Sequence, residues 1–345
     1  IIKEIVTLFR YEVDNLFFYC YYNANAEVKK MELKDEILSE LENNEYISGE
    51  ALAEKLFVSR NSVWKAVNKL RNEGYEIEAV TNKGYCLKGD INKISAGSIK
   101  KNLERPLEFY ILDEVDSTNN YARELALKGK SDLVVISETQ NGGKGRLGRK
   151  FYSPKGAGLY MSLLCRPKMN VELAPLITSY TAVAVALAID KLSGKETQIK
   201  WVNDIFMNGK KICGILTEAG FDFEGGTIDY AIIGIGVNAL GLEFPDEIKD
   251  IASSVEKESG IKISRNELAA EILNNLKDME EEIKTKKYLD IYRKKSNVIG
   301  RKVNVYYGNE SYEAEAIEID DNAALVVKTN EGFKRLNSGE VSIRL

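Results

Sequence analysis

Gln140-Asn141-Gly142-Gly143-Lys144-Gly145-Arg146-Leu147-Gly148-Arg149 decides between two fold classes. The spacing from Gly143 to Gly148 formally matches GxGxxG, the phosphate-binding turn of doubly wound α/β proteins. That fingerprint needs a helix directly behind it and an acid about 20 residues further on. Here Lys150-Phe151-Tyr152-Ser153-Pro154 follows, which does not open a helix, and residue 168 is Lys, with no acid until Glu172. The dinucleotide reading is therefore rejected. What remains is a flexible loop with cations at Lys144, Arg146 and Arg149. Glycines let backbone N–H groups approach a ligand closely, and cations neutralise anionic oxygens. The pattern suits a phosphate or carboxylate that is covered after binding; a plain solvated basic loop is the alternative.

Outward from this loop the periodicity predicts a strand over 108–115, a helix over 117–128 and a buried strand over 133–137. Behind it come a strand over 159–165, a long buried helix over 174–192 and strands near 198–201, 212–218 and 230–237. Helices over 265–284 and 288–294 close the unit. The expected architecture is α+β, a mixed sheet with helices on one side. Asn208-Gly209 is a hairpin signal between Lys200-Trp201-Val202-Asn203-Asp204 and Lys210-Lys211-Ile212-Cys213-Gly214-Ile215-Leu216. Across such a hairpin Asp204 and Lys211 can face each other. Asp204 could then position a metal–phosphate group and Lys211 an anionic oxygen, although Asp–Lys pairs across hairpins are also common structural features.

Further toward the N-terminus, Leu33, Ile37, Leu38 and Leu41 mark one helix, and Ser48 caps a second through Leu56. Ser59 caps a third, read with Val63, Trp64, Val67 and Leu70 on its apolar side and ending at Gly74. Strands over 75–80 and 85–88 follow, joined by Thr81-Asn82-Lys83-Gly84. Three helices and a hairpin predict a winged helix-turn-helix over 31–90. From Ser59 to Lys88 six bases stand against three acids, on a chain of net charge −5. Arg60, Asn61, Ser62, Lys65 and Asn68 on the third helix, with Lys83 on the wing, are side chains that bond phosphates and base edges. Winged helices also serve as protein-interaction modules. Residues 90–107 read as a linker. The tail alternates as five short strands, with turns at Gly308-Asn309 and Asp320-Asp321-Asn322, which predicts a small SH3-like β-barrel over 298–345.

Composition narrows the chemistry. The 345 residues are 44% hydrophobic and 29% charged, which is ordinary for globular chains. Histidine is absent, so Ser-His-Asp and Cys-His machinery, His-ligated zinc and an imidazole base are excluded. Cys20, Cys86, Cys165 and Cys213 are scattered and read as buried thiols in a reducing compartment. With no signal-peptide pattern and an apolar run at 174–189 too interrupted for a span, a cytoplasmic protein without a membrane is expected. Residues 1–30, with the cluster Phe17-Phe18-Tyr19-Cys20-Tyr21-Tyr22, read as an extension of unassigned role.

Ser117-Thr118-Asn119, Gln140 with the basic glycine loop, 200–204 and 211–216 occur in the order seen in biotin protein ligases. With the winged helix in front and the barrel behind, the chain from Met31 onward resembles the bifunctional bacterial biotin ligases that also repress the biotin operon. The resemblance implies a catalytic domain of the biotin/lipoate-ligase type over 95–295. It implies that Ser117, Thr118, Asn119 and Gln140 border the biotin pocket, and that Lys144, Gly145 and Arg146 close over biotin and phosphate. Lys211 would hold the biotin carboxylate and the α-phosphate, and Asp204 would position ATP with Mg²⁺, with no dedicated protein metal site. Gly143, Arg149, Phe151, Asn238, Glu340 and Arg344 would approach ATP. The implied partners are a biotin carboxyl carrier protein, operator DNA and a second copy of the chain when biotinyl-adenylate is bound. Lys144 stands where many relatives have Arg, Val202 where proline is frequent, and Phe151 where some have Trp. A ligase whose winged helix does not repress, a sensor with an inactive catalytic domain and a lipoate or octanoate ligase are the competing readings.

Overall fold

Three short helices begin the described chain: α1 (Leu33–Asn43), α2 (Gly49–Lys55) and α3 (Arg60–Asn72). The computed structural model describes residues 33–72, 75–88, 93–222, 224–241, 243–307, 310–337 and 340–343. The extension over 1–30, Met31, Gly74, the turn at Gly308-Asn309 and Arg344 lie outside them. Ser48 Oγ accepts from Ala51 N–H at 3.0 Å and Ser59 Oγ from Ser62 N–H at 3.1 Å, so both expected caps start their helices. Ile37, Leu38, Leu41, Leu52, Val63, Val67 and Leu70 form one core. Trp64 does not join it. The indole is 53% exposed, and Ala66 takes the inward position instead. A 3.6-residue period allows either side for a residue at the stripe's margin, and the small residue packs while the large one faces out.

The wing is β1 (Glu76–Val80) paired antiparallel with β2 (Gly84–Lys88). Ile47 extends it by exchanging both backbone hydrogen bonds with Tyr85. Gly84 has φ +104°, and a Cβ there would lie 2.3 Å from the Ile47 carbonyl oxygen, so only glycine fits. The expected linker contains a packed helix, α4 (Ala96–Lys101), with Ile94, Ser95, Ser98 and Ile99 buried. At Gly97 a Cβ would reach 2.5 Å from Asp35 Cβ of α1, so the two helices meet almost backbone to backbone.

The central sheet has seven strands: β3 (Glu108–Leu112), β4 (Leu133–Ser137), β5 (Gly158–Cys165), β6 (Gln198–Lys200), β7 (Asp204–Met207), β8 (Lys210–Asp222) and β9 (Thr227–Asn238). Their order is β3-β4-β5-β9-β8-β7-β6, parallel only between β3 and β4. Helices cover both faces, not one. Leu133 and Val135 cluster with Ala122, Leu125 and Ala126 of α5 (Thr118–Leu127). Val134 and Ile136 belong instead to the large core around α6 (Ala174–Ser193). The run Leu133–Ser137 is buried throughout, as a strand must be when both of its faces are packed. The apolar helix α6 lies inside this core. Cys86, Cys165 and Cys213 are buried and free, and burial pushes the Cys165 thiol up to about 12.

After α7 (Val255–Ser259), the helix expected over 265–284 is two helices, α8 (Arg265–Asn275) and α9 (Met279–Thr285). Tyr180 Oη donates to the Asn275 carbonyl at 2.6 Å, which satisfies the end of α8 and lets the chain turn. Helix α10 (Tyr288–Lys295) leads to the tail. There β10 (Lys302–Tyr307), β11 (Glu310–Ile319), β12 (Leu325–Thr329), β13 (Gly332–Leu336) and β14 (Glu340–Ile343) form the expected five antiparallel strands, in the order β13-β12-β11-β10-β14. The turn at 320–322 is held by Asp320 Oδ1, which accepts from Asn322 and Ala324 N–H.

A buried ion pair joins the linker to the sheet. Arg265 Nη1 lies 2.8 Å from Glu138 Oε2, and Glu138 Oε1 accepts from Ile94 N–H at 3.1 Å. Arg265 is 1% exposed and Glu138 6%. Arg265→Met strands a buried carboxylate, so a loss of about 3–5 kcal/mol is expected in urea denaturation. A loss below about 1 kcal/mol would mean that water reaches the carboxylate.

Candidate functional site

Hairpin β7–β8 turns at Asn208 (φ 49°) and Gly209 (φ 78°), the left-handed pair of a tight two-residue connection. It brings Lys211 Nζ to 2.8 Å from Asp204 Oδ1, as an ion pair rather than an aligned hydrogen bond. Strand β7 was not expected from the sequence; its four residues are too few to show a period. Beyond the turn, Lys211 N–H donates to the Ile251 carbonyl and its own carbonyl accepts from Ser253 N–H. The lysine is thus fixed by backbone on both sides.

Around this pair lies a cavity of about 240 Å³. Its wall includes Ser117, Thr118, Asn119, Gln140, Lys144, Gly145, Arg146, Arg149, Phe151, Asp204, Lys211 and Asn238. The residues singled out in the central domain therefore converge from five separate stretches, with one exception. Gly143 is buried behind the wall, where its carbonyl accepts from Phe151 N–H at 2.8 Å. A Cβ on Gly143 would come within 2.6 Å of the Phe151 carbonyl oxygen and 2.8 Å of Ser153 Oγ. Glu340 stands in β14, but its side chain, like Arg344, lies outside the described residues.

The basic loop is tied at its base and open at its tip. Gly142 N–H donates to the Asp116 carbonyl at 2.8 Å, and Gly145 N–H to the Arg149 carbonyl at 2.7 Å. Between these ties, Arg146–Gly148 form a single 3₁₀ turn with Leu147 at φ 55° and 76% exposed. Arg146 Nη1 donates to Asn203 Oδ1 at 3.1 Å, which aims the guanidinium at the β7 side of the cavity. Lys144 Nζ donates to Asn120 Oδ1 at 3.0 Å on the exposed rim.

The floor was missed in the sequence. Gly214 of β8 pairs with Gly236 of β9. The Phe151 ring lies over both, for a Cβ on Gly236 would meet it at 2.6 Å and one on Gly214 at 3.4 Å. Isolated glycines inside strand patterns signal close approach of another group, and Ile-Cys-Gly-Ile-Leu and Ile-Gly-Ile-Gly-Val carry that signal. Asn238 is 5% exposed; its Nδ2 donates to the Ser253 carbonyl, and its Oδ1 is buried with no partner. A buried acceptor on a cavity wall is satisfied only by what enters the cavity. Ser117 stands at the N-cap of α5 without capping it, which leaves its hydroxyl to the cavity. Asn119 borders the pocket with both amide protons already donated, to Glu218 Oε2 at 2.8 Å and the Leu216 carbonyl at 3.3 Å.

Trp201, also on the wall, donates from Nε1 to the Ala323 carbonyl at 2.9 Å and so anchors the tail domain beside the cavity. In the winged helix, Arg60, Asn61, Lys65 and Lys83 are exposed. Asn68 is half-buried and its Oδ1 accepts from Arg71 at 3.3 Å. Lys83 lies over the Tyr46 ring, 4.7 Å from its centroid.

A helix-turn-helix head, a mixed sheet enclosing a basic-rimmed cavity and a small antiparallel tail define a three-module protein with a ligand-sized cavity among the described residues of its central sheet. The Biotin/lipoate A/B protein ligase family model matches residues 111–238, an HTH domain model 34–86 and the Biotin protein ligase C terminal domain model 298–344. The chain is 36% identical over 309 residues to the bifunctional ligase/repressor BirA of Bacillus subtilis, covering 87% of this chain and 94% of that one. It is 31% identical over 313 residues to BirA of Escherichia coli, covering 89% and 96%. Among solved structures, the biotin protein ligase from Aquifex aeolicus in complex with biotin and ATP matches with a TM-score of 0.57 and 29% identity, over 69% of this chain and 98% of that one. This chain belongs to the family of bifunctional biotin ligase/repressors.

Gly143→Ala tests the loop's backbone. The nearest contact, the Phe151 carbonyl oxygen at 2.6 Å, is backbone, so the loop and Phe151 must shift. A displacement of this kind is expected to lower kcat/KM for biotin on the order of a hundredfold, read by pyrophosphate release. Turnover near the parent's would show that the site tolerates a moved loop.

Proposed function

We propose that this chain activates biotin with ATP to biotinyl-5′-adenylate and pyrophosphate, then transfers the biotinyl group to a lysine of a biotin carboxyl carrier protein, that of acetyl-CoA carboxylase. We further propose that the adenylate-bound chain dimerises and represses biotin genes through its winged helix. The observation that carries the first reading is the convergence of Lys211, Asp204, Arg146 and Gln140 on one cavity.

The first step joins two anions, the biotin carboxylate and the α-phosphate. Their mutual repulsion needs fixed positive charge in a site shielded from water. Lys211, tied by backbone, and Arg146, aimed by Asn203, supply it. The attacking carboxylate is already ionised, which is why a chain without histidine can run this step. Ser117, Thr118 and Gln140 would hold the ureido ring, with Asn119 behind them, and Lys144, Gly145 and Arg149 would rim the phosphates. Phe151 and Asn238 would meet the nucleotide. Asp204 is the one carboxylate on the described wall. That suits Mg²⁺, which is held by one or two carboxylates while phosphate and water complete its shell. When bound, Mg²⁺ would add charge neutralisation at the phosphates. In the second step the incoming lysine, ordinarily near pKa 10.4, attacks the acyl carbon and AMP leaves; the amine must lose a proton, which Asp204 would receive. The 146–148 tip, open between two backbone ties, would close over the adenylate and exclude water.

For the regulatory half, Arg60, Asn61, Lys65 and Lys83 offer phosphate and base contacts. One such domain with a small charge excess binds weakly; two held at fixed spacing gain through effective concentration.

Lys211→Ala is expected to abolish pyrophosphate release while the melting curve is kept; release within a few-fold of the parent would sink the assignment. Arg146→Gly is expected to shorten retention of biotinyl-adenylate, followed by filter binding of labelled ligand. If retention is unchanged, the loop is no lid. Operator DNA bound more tightly with biotin and ATP than without them, in an anisotropy titration at fixed salt, is the expected outcome for the repressor. Equal affinity would remove the switch, and no binding at low salt would remove the repressor reading.

A further inference from the structure

Helix α3 sorts its residues by face, with one exception. Val63, Ala66, Val67 and Leu70 are buried in the core of the head. The other side carries Arg60, Asn61 and Lys65 exposed and Asn68 half-buried. Trp64 stands on that polar side, one helical turn from Arg60, Asn61 and Asn68. Its indole is 53% exposed, and among the described residues no hydrogen bond or ring contact holds it. A lone apolar side chain on a surface is ordinary; what sets this one apart is its setting. The 13 residues of α3 include the bases Arg60, Lys65, Lys69 and Arg71 and no acid.

That charge selects the occupant. A helix with these cations and no carboxylate, continued on the wing by exposed Lys83, is complementary to a polyanion. The major groove of duplex DNA is about 12 Å wide and admits a helix. Contacts from cations to phosphates position the helix but carry no sequence information. The base edges in that groove present donors and acceptors, and one apolar group, the C5-methyl of thymine. A wide apolar ring among cations and amides has its match in that methyl. Asn61, one turn away and exposed, is of the type that takes the adenine edge of the same kind of base pair.

We infer that Trp64 is a specificity-determining residue of the head, which packs its indole on a thymine methyl in the major groove and so selects thymine at that position. The inference rests on the reading of the winged helix as an operator-binding head. It assigns sequence selection to an apolar contact and leaves the salt dependence to the cations.

The test is an anisotropy titration of the full chain, with biotin and ATP, on duplex DNA from the promoter of the biotin genes. The duplex is made once with thymine and once with uracil, which lacks only the methyl. The parent is expected to bind the uracil duplex about fourfold more weakly for one head and roughly fifteenfold for two, the contribution of one buried methyl group each. Trp64→Ala is expected to bind the thymine duplex at least as weakly as the parent binds the uracil one, with little further loss on uracil. Trp64→Phe keeps an apolar ring without the N–H and is expected to keep most of the discrimination. In both variants the slope of affinity against salt is expected to stay that of the parent, because no phosphate contact is removed. Equal affinity of the parent for the two duplexes, or a full uracil penalty in Trp64→Ala, would overturn the inference. A Trp64→Phe chain without discrimination would overturn it by making the indole N–H the reader. A shallower salt slope in Trp64→Ala would overturn it as well, since the ring would then serve to seat the cations. Should Trp64→Ala not fold, Trp64→Gln takes its place. A parent that binds neither duplex at low salt removes the operator-binding head, and the methyl contact falls with it.

Discussion

The close approach of Phe151 to the paired glycines Gly214 and Gly236 is the constraint on which the rest of the site depends. Strands β8 and β9 pair over ten residues of each strand. These strands carry Lys211 three residues before Gly214, Glu218 beyond it and Asn238 two residues past Gly236. Any side chain at 236 would lift the aromatic ring. The ring's backbone is in turn bonded to Gly143, so the ring, the loop and the strand floor form one rigid assembly. Sites built on strands hold their geometry more closely than sites on loops. Here the loop is bonded to the sheet side at its base, through Gly142, Gly143 and Gly145, and open at 146–148.

The flanking domains attach through residues that adjoin the site. Trp201 faces the cavity and also donates to Ala323 of the tail. Glu138 stands two residues before Gln140, and its carboxylate receives Arg265 and the linker amide of Ile94. From there α4 packs on α1 of the winged helix through Gly97. Contacts of this kind provide a continuous physical route from pocket to DNA-binding head. Contiguity is not by itself coupling, which is why the proposed switch is tested by binding and not by geometry.

Much of this was legible in the sequence, and the gaps have physical causes. Asp204, Lys211, Gln140 and the loop cations could be read because chemistry-bearing residues cluster at turns, and turns announce themselves through Asn-Gly and glycine runs. The caps Ser48 and Ser59 were legible for the same reason. Trp64 was misplaced because a margin position on a helix is decided by what packs opposite, which no local period contains. The second helix layer was hidden because a strand buried on both faces shows no alternation, as in Leu133–Ser137. The helix break after Asn275 depends on Tyr180, 95 positions away. Ser162 and Glu218 were not legible as partners of Thr118 and Asn119, since a serine and a glutamate in strands read as ordinary alternation until the sheet order places them under α5.

The absence of histidine then becomes informative about the whole design. Without an imidazole near neutrality, proton placement has to be built from groups that do not titrate in that range. Positive charge comes from Lys211 and Arg146 on the cavity wall. Such a site makes its distinctions by geometry and hydrogen-bond polarity rather than by a change of charge. Glycines at 143, 214, 234 and 236 serve that geometry, because each gives up a side chain so that a polar or aromatic group can sit at one position and no other.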